Sequence, residues 1–425
     1  MRRLLAAFTV FFGLISGAQS AQQNNASCGD VHNTSASPQY HGSRGNAAPG
    51  KVSKLPIRSL LYPGAQTRIF TRYMPWFGDG HHRDVGYRSD DAQQVARQVA
   101  DMMSRGIEGA IVDWYGPDSG SKNESTILLR KEAERQGFQF AISEDAGALS
   151  GCKPPGCDPI ERLISDLRYA ADRFESSPAY VRFENRPAVF FFGLEKYSID
   201  WRRVRHSLPG KPLLFFRNSG ALSDPDADGA YAWIAPETAG PADPMAIKYL
   251  ERFYSKAQTS SKIVMGSAYK GFDDAEASWG KGRVIDQQCG QTWLSTFAET
   301  SRFFSSSHQL PALLIPTWND YEEATEIETG IDNCVRLQAR LTQESLTWKV
   351  EGMENTIDHY AVWIQHGSAW TEAADVPPGI HSVMRSQLDL SAEPAAFCVE
   401  AVGKASMLNQ FSGPIRNSAA SRSSE

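Results

Sequence analysis

The chain has 425 residues, 41% hydrophobic, 22% charged and 11% aromatic, a globular composition that excludes a disordered, collagen-like or coiled-coil protein. Its 43 Lys and Arg stand against 49 Asp and Glu, a net charge of −6, so there is no cationic field to hold a phosphate backbone, which argues against a nucleic-acid partner.

The first element is a leader. Arg2 and Arg3 form a positive start, Leu4 to Ile15 an apolar stretch, and Ala18 and Ser20 precede a cleavage point before Ala21. Residues 1–20 therefore read as a signal peptide, too short in its apolar part to span a membrane. The expected product is secreted or periplasmic, with no membrane association after cleavage. Residues 21–66 are rich in Asn, Ser, Gly, Ala and Pro and read as a flexible N-terminal segment.

From Arg68 the pattern becomes strand and helix in alternation. Strands are predicted at Arg68 to Phe77, Gly109 to Gly116, Gln139 to Glu144, Arg186 to Gly193, Pro212 to Asn218, Gly229 to Ala235, Lys262 to Tyr269 and Leu310 to Trp318. Between them, apolar residues at three- and four-residue steps mark amphipathic helices, as in Val95, Val99, Met102 and Met103, in Ile160, Leu163, Ile164 and Leu167, and in Met245, Tyr249, Leu250 and Phe253. Asp90 supplies an N-cap for the first, and Asp158-Pro159 an N-cap and first-turn proline for another. Ser219 to Asp228 reads as a loop. Eight strands with helical crossovers predict a (β/α)8 TIM barrel over 67–333. Short alternating strands follow at Ser345 to Val350, His359 to Ile364, Ile380 to Arg385 and Ala396 to Val402, so 334–413 reads as a small C-terminal β-sandwich of immunoglobulin or fibronectin III type. Residues 414–425 read as a disordered tail.

Six cysteines in an exported chain permit disulfides. Cys152 and Cys157 bracket a tight Lys-Pro-Pro-Gly loop and form the candidate pair; the others are left open. No second close pair completes a zinc site, so no metal is expected.

In such a barrel the active site lies at the C-terminal strand ends. Those ends carry Tyr73, Trp76, His81 and His82, then Asp113, Trp114 and Tyr115, then Glu144 and Asp145, then Arg217 and Asn218, Trp233 and Glu237, Tyr269 and Lys270, and last the run Trp318 to Glu328. Aromatic faces pack on sugar C–H faces and carboxylates bond hydroxyls, while glycosidic cleavage uses paired Asp or Glu. Asp320 and Glu323, three apart, are the candidate catalytic pair. Tyr73, Trp76, Trp114, Trp233 and Tyr269 are candidate stacking surfaces, although Trp76, Trp114 and Trp233 also suit the core. His82, Asp113, Asp145, Arg217, Lys270, Trp318 and Asn319 are candidate polar or lining contacts. Glu144 suits either a sugar hydroxyl or Arg217 across the mouth. A Gly-x-Ser-x-Gly elbow and a complete dinucleotide fingerprint are both missing.

The run Trp318-Asn319-Asp320-Tyr321-x-Glu323 resembles the Trp-Asn-Asp-Tyr-Gly-Glu signature of glycoside hydrolase family 71, the α-1,3-glucanases. Thr325, Ile327 and Glu328 match the tail of the corresponding signature of family 99, the endo-α-mannosidases and endo-α-mannanases. Tyr73-x-Pro75-Trp76-Phe77-Gly78, Gly106-Ile107-x-Gly109 and Val112-Asp113-Trp114-Tyr115-Gly116 are similar to the opening of family 99. Position 320 is Asp as in family 71, position 322 is Glu in place of Gly or His, and position 324 is Ala in place of Gly or Ser. The resemblance implies a barrel that cleaves α-linked polysaccharide or glycan without metal or organic cofactor, Glu323 matching the general acid and Asp320 the base or assisting carboxylate. The expectation is therefore a secreted glycosidase acting within α-glucan- or α-mannan-type chains. The alternative is a carbohydrate-binding protein that keeps the barrel and aromatic cleft without turnover.

Overall fold

The computed structural model describes residue 28 and residues 51–152, 156–388, 390 and 394–416. The leader at 1–20, most of 21–50 and the residues from 417 onward lie outside them.

Eight parallel strands close into a barrel: β1 (Arg68–Tyr73), β2 (Gly109–Trp114), β3 (Gln139–Asp145), β4 (Arg186–Phe192), β5 (Leu213–Arg217), β6 (Gly229–Tyr231), β7 (Ile263–Ser267) and β8 (Ala312–Ile315). Each pairs with the next, and β8 returns to β1 with Arg68 opposite Ala312 and Thr71 opposite Ile315. The crossovers are α1 (Ala92–Ser104), α2 (Ser121–Gln136), α3 (Pro159–Ala170), α4 (Trp201–Ser207), α5 (Ile247–Ala257) and α6 (Gln291–Phe303). Between β5 and β6 a single 3-10 turn, Ala221–Ser223, replaces a helix, as expected for a stretch without helical periodicity. The predicted strands mostly overrun the observed ones at their C-terminal ends, because Pro75 and the residues like it belong to the βα loops, not the ladder.

Both faces of every strand are covered, so β2 is buried along its whole length and alternation is hard to read from hydropathy alone. The inward and outward sets still separate with period 2. The N-cap of α1 is Asp91, whose side chain accepts from the N–H groups of Gln93 and Gln94; Asp90 is displaced from that role because Arg88 holds both its oxygens, at 2.9 and 2.7 Å. Asp158 caps α3 with Pro159 in its first turn. Residues 51–66, which composition places in a linker, are packed: Ile57 is fully buried and the Tyr62 hydroxyl receives the N–H of Leu310 at 2.8 Å.

The C-terminal strands are β9 (Arg336–Leu341), β10 (Ser345–Glu351), β11 (Ile357–His366), β12 (Ala369–Val376), β13 (Ser382–Met384), β14 (Ala396–Gly403), β15 (Gln410–Phe411) and β16 (Ile415–Arg416). They form two antiparallel sheets, β9-β10-β13 and β12-β11-β14-β15, with β16 also on β14. Leu346, Trp348, Tyr360, Val362, Phe397 and Val399 fill the space between them. Met407 and Ala405 belong to the barrel's core instead, and the Trp293 indole on α6 donates to the Ala405 carbonyl at 3.1 Å. Disulfides Cys28–Cys398, Cys152–Cys157 and Cys289–Cys334 join all six cysteines; the last ties the start of α6 to the start of the sandwich. Among the described residues no helix is long and apolar enough to cross a membrane.

Candidate active site

The site begins with an arginine inside a strand. Arg72 of β1 is fully buried, pairs with Asp113 of β2, and lies over the rings of Phe192 and Trp233 at 5.1 and 5.6 Å. The second Asp113 oxygen accepts the Tyr115 hydroxyl at 3.0 Å. Asp145 of β3 accepts the Gly147 N–H at 2.6 Å. Burial, then the charge of Asp113, pushes Asp145 up to about 7. Arg72, Asp113, Tyr115 and Asp145 thus form one inward-facing polar group at the mouth.

The loop after β8 supplies the candidate pair. The Asp320 N–H donates to the Thr317 hydroxyl at 2.8 Å, and Asp320 Oδ1 accepts the N–H groups of Glu322 and Glu323 at 3.1 and 3.0 Å. The side chain therefore closes the turn that carries Glu323. Burial, then the neighbouring Glu323, pushes the Asp320 carboxyl well above the ordinary carboxylate range. Burial also raises Glu323, against the hydrogen bond from the Trp279 indole and the charge of Arg283. The titration belongs to the pair, with repulsion opposing double ionisation. Ala324, next in the turn, has φ 50°, the left-handed region that glycine occupies freely.

Aromatic rings frame these carboxyls. Trp76 stacks on His82 with centroids 4.6 Å apart and meets Tyr115 and Trp279 edge-on at 6.3 and 6.1 Å. His82 Nδ1 lies 2.8 Å from Glu322 Oε2, and the Arg83 N–H donates to Glu322 Oε1 at 3.0 Å. The extra carboxylate at 322 thereby fastens the loop after β1 to the loop after β8 rather than facing Glu323.

The structure gathers Trp76, His82, Asp113, Asp145, Trp233, Asp320 and Glu323 around the mouth and turns other predicted residues away. Tyr73 points outward, its hydroxyl on Gln98 at 2.9 Å. Trp114 is core: it bonds Asn123 and stacks on Tyr169. Trp318 lies under Arg105, 4.8 Å from its ring. Tyr73 and Trp114 alternate with the inward Arg72 and Asp113, so pleat parity puts them behind the sheet, while Trp318 lies in the loop after β8. Glu144 has the same parity; it lies beside Asp166, and burial, then Asp166, raises its carboxyl well above the usual range. Its proposed partner Arg217 instead pairs with Glu195 and caps the Phe192 ring at 4.4 Å. Arg217 also lines a cleft of about 500 Å³ with Tyr197, Trp201 and Phe216, between the segments that follow β4 and β5. Tyr269 is buried with its hydroxyl on the Met245 and Ala246 carbonyls. Lys270 is fully buried 3.4 Å from Glu326. Asn319 clamps both backbone polar groups of Met74, at 2.8 and 3.0 Å.

Arg72 and Trp279 are the residues sequence reasoning missed. The signal for Arg72 was a charge inside the strand run Arg68–Tyr73; Trp279 sits in an aperiodic loop with no signal. Among the described residues no group of three or more His, Cys, Asp or Glu is arranged to hold a metal ion.

No protein-family model and no curated protein matches the chain. It is similar to the solved glycoside hydrolase family 99 endo-α-mannosidase from Bacteroides thetaiotaomicron, at 17% identity and TM-score 0.49 over 62% of this chain and 87% of that one. It is similar to a glycoside hydrolase-like protein at 11% identity and TM-score 0.48, over 62% and 87%. It is similar to the catalytic domain of the major endoglucanase from Xanthomonas campestris pv. campestris at 10% identity and TM-score 0.34, over 56% and 85%. These are likenesses in chain course between sequences that differ at most positions.

Proposed function

We propose that this chain is an exported glycoside hydrolase that cleaves α-linked polysaccharide or glycan at internal linkages. The observation that carries the reading is the carboxyl pair of buried Asp320 and half-buried Glu323, fixed in one turn at an aromatic barrel mouth. By the resemblance to the family 71 and 99 signatures, Glu323 is the acid that gives its proton to the glycosidic oxygen as the C–O bond breaks. The pair shares a proton, and with that proton on Glu323 the ionised Asp320 takes a proton from the incoming water or from the sugar 2-hydroxyl. Arg72 fixes Asp113 beside the sugar, and Trp76, His82 and Trp233 supply its walls. The α-linkage follows from the resemblance of Trp318 to Glu328 to the family 71 and 99 signatures. Export follows from the leader, and three disulfides suit an oxidising compartment.

The test is reducing-end release by the mature protein from α-1,3-glucan, α-mannan and unrelated β-glucans, beside Asp320→Asn and Glu323→Gln. Cleavage of an α-glycan by the wild type and by neither variant supports the reading. Binding without release in all three proteins would mark a carbohydrate-binding protein instead.

A further inference from the structure

Between β7 and α6 the chain makes an excursion that no barrel needs. A short antiparallel ribbon pairs Phe272–Asp273 with Val284–Ile285, and the loop it closes is wound around Asp274. That side chain is fully buried and accepts the N–H groups of Lys281 and Arg283 at 3.1 and 2.7 Å and the Arg283 guanidinium at 2.9 Å. Burial pushes its carboxyl up, but these donors outweigh burial and hold it below the ordinary range. Gly280 is required by space, since a side chain there would run into the Asp274 carbonyl oxygen. The ribbon is tied to the turn of the candidate pair, because the Asp273 N–H donates to the Glu323 carbonyl at 2.9 Å.

What this scaffold presents is Trp279. Its indole N–H donates to Glu323 Oε1 at 3.1 Å, yet the residue is 42% exposed, one of the few large apolar side chains left open among the described residues. A ring this exposed contributes little to the core, and its edge-on contacts to Trp76 and His82, each at 6.1 Å, place it at the mouth. A proton donor must sit against the leaving oxygen, so a ring bonded to that donor lies on the leaving-group side.

We propose that Trp279 is a positioning and binding residue: its indole N–H holds the Glu323 carboxyl toward the scissile bond, and its open ring is the stacking platform for the pyranose leaving with the glycosidic oxygen. The proposal rests on the glycosidase reading for the sugar it binds, but the indole–carboxyl contact is independent of turnover. The N–H stabilises the ionised carboxylate, in the same direction as its effect on Glu323 proton affinity.

The test uses the full mature chain with Trp279→Phe, Trp279→Ala and Glu323→Gln. The indole 15N–1H resonance of Trp279, assigned by its loss in Trp279→Phe, is followed with pH. It is expected to titrate in the wild type and to stay fixed in Glu323→Gln. Oligosaccharide affinity, read in the Glu323→Gln background, is expected to fall roughly tenfold with Trp279→Ala and to stay within about twofold with Trp279→Phe. Trp279→Phe in the active protein is expected to move the alkaline limb of kcat/KM upward and to lower kcat more than it changes KM. An indole signal that ignores Glu323 overturns the positioning half, and unchanged affinity in Trp279→Ala overturns the stacking half. If the wild type neither cleaves nor binds any glycan, the glycosidase reading and the stacking half fall together, while the indole titration still decides the contact.

Discussion

One oxygen of Asp320 accepts the backbone N–H of Glu323 at 3.0 Å, so the residue offered as base also builds the turn that aims the acid. Its two functions separate by substitution. Asp320→Asn keeps an oxygen to accept the turn N–H groups and is expected to unfold at nearly the wild-type temperature while losing activity by roughly 10²–10⁴-fold. Asp320→Ala removes the acceptor and is expected to cost about 1–2 kcal/mol of stability as well. Thermal unfolding beside reducing-end release distinguishes the two.

Trp114, Tyr73 and Trp318 face helices, not the cleft. Trp114→Ala is expected to destabilise by about 3–5 kcal/mol through the cavity it leaves. If the variant stays folded at low temperature, calorimetric glycan affinity should match the wild type; a specific loss of affinity would return Trp114 to the binding surface.

Ala324 holds a left-handed backbone at φ 50°, where an L side chain costs roughly 1 kcal/mol. Ala324→Gly is expected to recover about that much, partly offset by the greater chain entropy of glycine in the unfolded state. Denaturant midpoints measure this, and a fall in midpoint would contradict it.

Glu175 is buried near Arg182, and burial raises its carboxyl from 4.5 to about 7. The folded state therefore binds this proton more tightly than the unfolded state. Its contribution to stability is full below pH ~4.5 and is lost as pH rises to about 7. Glu175→Gln should thus gain on the wild type across that window, by up to about 3 kcal/mol at pH 8. Equal pH profiles for the two proteins would show that Glu175 is solvated.

Cys289 and Cys334, 45 residues apart, anchor the sandwich to α6. Replacing both with Ala is expected to cost about 4 kcal/mol through loop entropy in the unfolded chain. Proteolysis between barrel and sandwich should then quicken. An unchanged unfolding temperature would mean that the packing of Met407 and Ala405 against the barrel carries the junction alone.

The sequence by itself determined the eight strands, the amphipathic helices, the helix-free link at Ser219 to Asp228 and the nature of the mouth, because these follow from local periodicity, capping and strand-end chemistry. It also singled out Asp320 and Glu323 through the run that carries them. It missed β9, β12 and the two-residue strands β15 and β16, of which β12 has an Ala- and Glu-rich edge that carries little apolar signal, and the partners of four cysteines, which are set by chain packing. Only the tertiary structure decided which strand-end residues share the cleft. Side-chain parity reverses at every residue, so Arg72 enters the mouth while Tyr73 leaves it, and Asp113 enters while Trp114 leaves it. Hydropathy is blind to this in a barrel whose strands are buried on both faces. Trp279 lay beyond reach for a second reason: its position depends on Asp274 gathering donors seven and nine residues away, an arrangement with no sequence period to reveal it.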